Sequence, residues 1–120
     1  MKTLILGAST NPSRASFEAA RRLKNANIVF VPVGLKKGEV FGEQILSIND
    51  KPEIDNVVTL TLYIGPKNQP DLYDYILAIN PKRMIFNPGT ENDELYKLAT
   101  DQGIQCEYAC TLVLLGTGLY

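Results

Sequence analysis

Histidine is absent from all 120 residues. That removes the commonest general base, the commonest metal ligand and the usual partner of a nucleophilic serine or cysteine. Cysteine occurs only as Cys106 and Cys110. Two are too few for a disulfide framework, and without histidine nothing completes a metal set around them. No apolar run has membrane-spanning length. Met1-Lys2 leads straight into strand-like sequence, with no secretory leader ahead of it. The expectation is a cytoplasmic chain with reduced thiols and no membrane partner. No Gly-Lys-Ser/Thr follows Gly7 at the Walker interval, which argues against ATP hydrolysis by that route. A basic–aromatic stripe is missing and the pI is near 5.4, so nucleic acid is not the expected partner.

What remains is the composition of an ordinary globule, 45% hydrophobic and 21% charged, at a length that suits one domain over residues 1–120. Its charge is uneven. Residues 1–37 hold seven basic side chains and one acid, and the rest hold five basic and twelve acidic ones. The first third is therefore +6 and the remainder −7, which sum to the net −1. Such asymmetry points to an anionic small-molecule partner on one side. For Arg21, Arg22 and Lys24 the simpler reading is the wet face of a helix.

Apolar runs and helical periodicities alternate along the chain. Residues 3–6 read as a buried strand ended by Gly7, with Ser13 or Ser16 capping the helix that follows. Ser16, Ala19, Ala20 and Leu23 recur at helical spacing, and the small residues let that helix lie close on a sheet. Residues 28–33 read as a second strand, with Pro32 near its end. Residues 41–46 hold a short, weak strand, and residues 56–62 a strong one. Asn68 is a candidate cap for a helix with Pro70 in its first turn and Leu72, Tyr75, Ile76 and Ile79 as its stripe. Residues 83–86 form another apolar run. Thr90-x-x-Asp93 resembles a capping box for a helix lined by Leu95, Leu98 and Ala99 and stopped by Gly103. A last strand is expected at 105–108, then an apolar tail at 111–115. The alternation predicts an α/β fold: a single three-layer, Rossmann-like, doubly wound domain, with a mostly parallel sheet of about five strands and helices on both faces.

In such a sheet ligands bind outside the carboxyl ends of the strands, at the switch point of strand order. The loops there are residues 7–16, 33–37, 63–68 and 87–90. The first is a strand, a small-residue turn and a helix N-terminus, which together cradle anions. Gly7, Ala8, Ser9, Thr10, Arg14 and Ser16 are its candidate ligands. Ser9 and Ser16 have no base to make them nucleophiles, so they are phosphate donors or helix caps. The dinucleotide fingerprint retains only its first glycine, because Ser9 and Pro12 stand at the other two positions. The acid expected near Val33 and Gly34 is missing, and Lys36 and Lys37 follow instead. That disfavours NAD and suits a ribose carrying a phosphate, as in NADP or coenzyme A. The lysines are also readable as a solvated turn.

Several of these residues carry a family likeness. Leu6-Gly7-Ala8-Ser9 after the first strand, Arg14-x-Ser16-Phe17 entering the helix, Val31-Pro32-Val33, and Glu39-Val40-Phe41-Gly42 resemble the CoA-binding domain family. The form is the small stand-alone bacterial one, related to the N-terminal domain of the succinyl-CoA ligase alpha subunit. The likeness runs from Thr3 to Cys110. It implies a non-catalytic module for coenzyme A or an acyl-CoA, with the pyrophosphate on Gly7-Ala8-Ser9 and Pro32-Val33 beside the adenosine. The loop holding Tyr63, Ile64 and Lys67 would close over the nucleotide. Asn87 and Gly89 lie on the fourth rim loop. Relatives often have Asn where Gly34 stands, so a side-chain contact is expected to be lost there. They often have Cys-Pro where this chain has Cys110-Thr111. Cys110 is either a thiol facing the bound CoA or a small buried hydrophobe. Two rivals remain: a small NADP-dependent oxidoreductase or accessory subunit of an acyl-CoA-processing enzyme, and an interaction protein with a vestigial pocket. The latter would use the apolar tail 112–120 in a homo-oligomer, or that tail simply finishes the sheet edge.

Overall fold

A computed structural model describes residues 1–120. The strands are β1 Lys2–Leu6, β2 Phe30–Gly34, β3 Glu39–Val40, β4 Glu43–Gln44, β5 Leu46–Ser47, β6 Val57–Leu62, β7 Arg83–Phe86 and β8 Gln105–Tyr108. The helices are α1 Ala15–Asn25, α2 Tyr73–Ile79, α3 Asp93–Asp101 and α4 Thr111–Thr117. Six strands form one sheet in the order β5-β2-β1-β6-β7-β8, and every pairing in it is parallel. The sixth strand is the two-residue β5 at one edge. The weak strand expected at 41–46 is divided. Its first half closes an antiparallel hairpin, β3–β4, around Phe41 and Gly42, whose φ of 49° and 90° are those of a tight primed turn.

Side chains alternate across the central strands, and both faces are covered. Leu4 and Leu6, Leu60 and Leu62, and Met84 and Phe86 pack with Ile76 of α2 and Leu95 and Ala99 of α3. Ile5 faces the other way, onto Ala20 and Leu23 of α1, with Leu115 and Tyr120 against the same cluster. The result is a three-layer, Rossmann-like α/β fold. The small side chains of α1 do what their size suggests: Ala19 and Ala20 are buried against the sheet.

Local details depart from the sequence reading where backbone angles decide. β2 begins at Phe30, because Asn27 (φ 58°) turns the chain and the Ile28 N–H bonds Leu23 O. Pro32 therefore sits in mid-strand. The Val29 and Val33 carbonyls accept from β1 and the Gly7 turn, so alternate residues face β1 and Pro32 faces away. On that side pairing to β5 starts only at Val33, and no ladder bond is lost. Neither Ser13 nor Ser16 caps α1. Arg14 occupies the cap without a side-chain bond, and Ser13 Oγ donates to Asn11 Oδ1 instead. Asn68 ends a 3-10 turn and caps nothing; α2 starts after a second such turn, Pro70–Leu72. The cap of α3 is Asn92, whose Oδ1 accepts from Glu94 N and Leu95 N, while the Thr90 hydroxyl donates to Asn87 O. Gly103 follows the last helical turn of α3 at φ 96°, as expected of its position. The apolar tail is the helix α4. It lies beside α1, with Arg22 donating to Leu112 O and Tyr120 hydrogen-bonded to Thr3.

Candidate functional site

β1 lies between β2 and β6. The chain leaves β1 through α1 toward β2 on one side, and later runs through α2 and α3 toward β7 and β8 on the other. The switch point is thus the carboxyl end of β1. Gly7 makes the turn there at φ 106°, and a Cβ on it would lie 3.0 Å from the Tyr63 carbonyl carbon. The N–H groups of Gly7 and Ala8 both donate to Val33 O, at 2.8 and 2.9 Å. They close β1 onto β2 and are not available to an anion. Four other N–H groups have no protein acceptor: Ser9 and Thr10 in the turn, and Ala15 and Ser16 in the first turn of α1. Between them the chain is braced by its own side chains. Ser9 Oγ accepts from Asn11 N, and Asn11 Oδ1 accepts from Ser13 N. Ser16 is buried at the base of the turn and Arg14 is exposed at its mouth.

The loop after β2 forms one wall. A Cβ on Gly34 would meet Ala8 O at 2.4 Å, and one on Gly38 (φ 154°) would meet Thr10 Cγ2 at 2.4 Å. These glycines let residues 34–38 close on residues 8–10. At Gly34 there is no space for a side chain, so backbone packing stands where a side-chain contact was expected to be lost. Pro32 and Val33 are buried and support the wall from behind. The apolar surface it presents is Leu35, 76% exposed, beside the exposed Lys36 and Lys37. Leu35 was missed; a leucine between glycine and two lysines is a signal that loop composition alone does not weigh.

Residues 63–69 and 87–92 form the opposite wall. Tyr63 N donates to Leu6 O, which carries the β1–β6 pairing past the strand end. The Tyr63 side chain packs into the α1 layer, its hydroxyl buried without a protein partner and its pKa raised, chiefly by burial. Ile64 packs on the opposite core, and a Cβ on Gly7 would lie 3.1 Å from its Cγ1. Lys67 is exposed. Asn87 is buried and fully engaged: its amide donates to Thr61 Oγ1 and Leu62 O and accepts from Thr111 N. Its task is to tie β7, β6 and α4 together. Gly89 turns the loop at φ 93° and donates to Glu91 Oε1. Gln69, also missed, is wholly buried and bonds Ile64 O, Thr90 O and Asn92. Cys110 precedes α4 on the same rim, half-buried and unpaired, whereas Cys106 points into the α2–α3 core, where burial raises its thiol pKa.

The rim is electrostatically lopsided. Arg14, Lys36, Lys37 and Lys67 take part in no ion pair; the pairs in the structure are Lys2–Asp55, Arg21–Glu18, Arg22–Glu18 and Lys97–Asp101. Acids gather instead around the start of α3, at Glu91, Asp93 and Glu94. Two grooves, of about 220 and 870 Å³, lie at the amino ends of β2 and β6, away from this rim.

Residues 1–116 match the family described as CoA binding domain. A crystal structure of an uncharacterized protein is similar at 51% identity and a TM-score of 0.94, over 99% of this chain and 97% of that one. A Thermus thermophilus structure, cell-free ID.343, is 27% identical with a TM-score of 0.83, covering 99% and 90%. A hypothetical protein from Pyrococcus horikoshii shares the fold at 22% identity and a TM-score of 0.80, covering 98% and 82%. No curated protein matches the sequence.

Proposed function

The chain belongs to the CoA-binding domain family, and on that premise we propose that it is a non-catalytic module binding coenzyme A or an acyl-CoA at the carboxyl rim of the sheet. The observation that carries this reading is the set of four N–H groups, on Ser9, Thr10, Ala15 and Ser16, that have no protein acceptor and flank one turn. Donors so placed, at the positive end of a helix, match a pyrophosphate. Ser9 and Ser16 hydroxyls and Arg14 add donors. Lys36 and Lys37 face the 3′-phosphate and Leu35 packs on the adenosine. The pantetheine arm runs between residues 63–67 and 87–89 toward Cys110. Without histidine on the rim, transfer of an acyl group from a bound thioester falls to a partner enzyme.

The NADP reading uses the same cradle and the same lysines, so ligand comparison separates the two. Calorimetry with CoA, 3′-dephospho-CoA, NADP and NAD tests both. CoA is expected to bind tightest and its dephospho form more weakly, with NAD weakest. NAD binding as tightly as CoA would overturn the phosphate argument, and NADP binding tighter than CoA would favour the oxidoreductase.

A further inference from the structure

We infer that Gln69 is a positioning residue: its buried amide clamps the two loops of the far wall together and, through Ile64, sets the Gly7 turn. Gln69 is 0% exposed. It joins two short 3-10 turns, Pro66–Asn68 and Pro70–Leu72. Nε2 donates to Ile64 O and to Thr90 O, each at 2.8 Å, and Oε1 accepts from Asn92 Nδ2 at 2.8 Å. No other protein group donates to either carbonyl. These carbonyls belong to loops without a strand ladder of their own, so one side chain supplies the only tie between residues 64 and 90. The Thr90 contact is buried and the Ile64 contact half-buried, and a buried carbonyl left without a donor is costly, so losing the Gln69 amide weakens both loops together. Ile64 in turn backs Gly7, its Cγ1 3.1 Å from where a Cβ would stand. Asn92 completes the unit. Its Nδ2 holds Gln69 and the Tyr73 hydroxyl, while its Oδ1 caps α3.

The functional part of this inference rests on the CoA reading; the clamp itself does not. Gln69→Met keeps the volume and removes all three bonds. Asn92→Ser keeps a helix cap but loses the Nδ2 donor. Both variants are compared with wild type at a temperature where each is folded, by CoA dissociation kinetics and by amide hydrogen exchange without ligand. For Gln69→Met, CoA is expected to leave about tenfold faster with little change in association, a factor equal to about 1.4 kcal/mol. Exchange is expected to rise in residues 63–69 and 87–92 together, while β1 and β6 stay protected. Asn92→Ser is expected to move the same way by less, and decides alone should Gln69→Met not fold. Unchanged loop exchange would overturn the clamp. Loosened loops with unchanged CoA dissociation would overturn its positioning role. If wild type binds no CoA, the binding proposal fails, and the exchange result still decides the clamp.

Discussion

Gly34 shows how much one missing side chain can settle. Its Cβ would stand 2.4 Å from a backbone oxygen, Ala8 O, which cannot swing aside as a side chain can. Gly34→Ala must therefore pry β2 away from the turn after β1. A loss of about 1–3 kcal/mol is expected, as for other overpacked sites, together with weaker CoA binding because residues 8–10 move. Gly65→Ala is the control for stability: nothing lies within 4 Å of its Cβ position, and an effect within about 0.5 kcal/mol is expected. Urea unfolding of the two variants checks this, and equal losses would refute the packing argument. At this scale the sequence was legible where a residue type answers to its own backbone. Gly7 is the example, since a positive φ calls for glycine. It was illegible where partners are distant in the chain. Asn87 reaches residues 61, 62 and 111, and Gln69 reaches residues 64, 90 and 92; no local pattern announces either. Asn87 was expected as a rim-loop ligand residue and Gln69 was not singled out, and both are structural ties.

Elements were easier to recognise than their ends. Parallel strands buried on both faces appear as continuous apolar runs, and α1 and α3 carry a clear helical stripe. Caps were misplaced because several Ser, Thr, Asn and Asp residues stand within a few positions of each start, and only the backbone angle selects one. Residues 111–115 are too short an apolar run to distinguish helix from strand, so α4 was not foreseen. Within α1 the charged face has a specific part. The Arg21 guanidinium, and then that of Arg22, hold the Glu18 carboxyl down to about 2 from its ordinary 4.5, and Arg22 also reaches Leu112 O of α4. A carboxyl depressed in the folded state contributes stability above its unfolded pKa and loses it as pH falls through the folded value. Glu18→Gln is therefore expected to lower the melting temperature near neutral pH. The gap to wild type should close as pH drops from about 4.5 to about 2. Melting curves across that range test it, and a gap independent of pH would assign the effect to packing on α4.

For the whole molecule the distribution of charge matters more than its sum. The net −1 conceals a basic first third, +6 over residues 1–37. Glu18, already counted in that sum, is shared by Arg21 and Arg22, and of the acids outside the segment Asp55 pairs with Lys2. Arg14, Lys24, Lys36 and Lys37 remain without ion pairs, and the fold brings Arg14, Lys36 and Lys37 to the rim where four N–H groups also lack acceptors. The acids Glu91, Asp93 and Glu94 sit across the rim at the start of α3. A polyphosphate approaching this end is drawn to the β1–β2 side and repelled from the β7 side, which fixes its direction of entry. Because these cations are exposed, salt must weaken the attraction: the screening length falls from about 10 Å at 0.1 M to about 3 Å at 1 M. CoA affinity is therefore expected to drop by roughly tenfold over that range, an amount consistent with loss of a few exposed charge contacts. On the proposed reading, replacing Lys36 and Lys37 by Ala should flatten the salt dependence and abolish the preference for CoA over its 3′-dephospho form, while leaving the four free N–H groups of the turn and α1 intact. Titrations at several salt concentrations separate the two contributions. A salt slope untouched by the double substitution would overturn the proposed contact of the 3′-phosphate with Lys36 and Lys37 and leave Arg14 and the helix N-terminus as the source of the salt dependence.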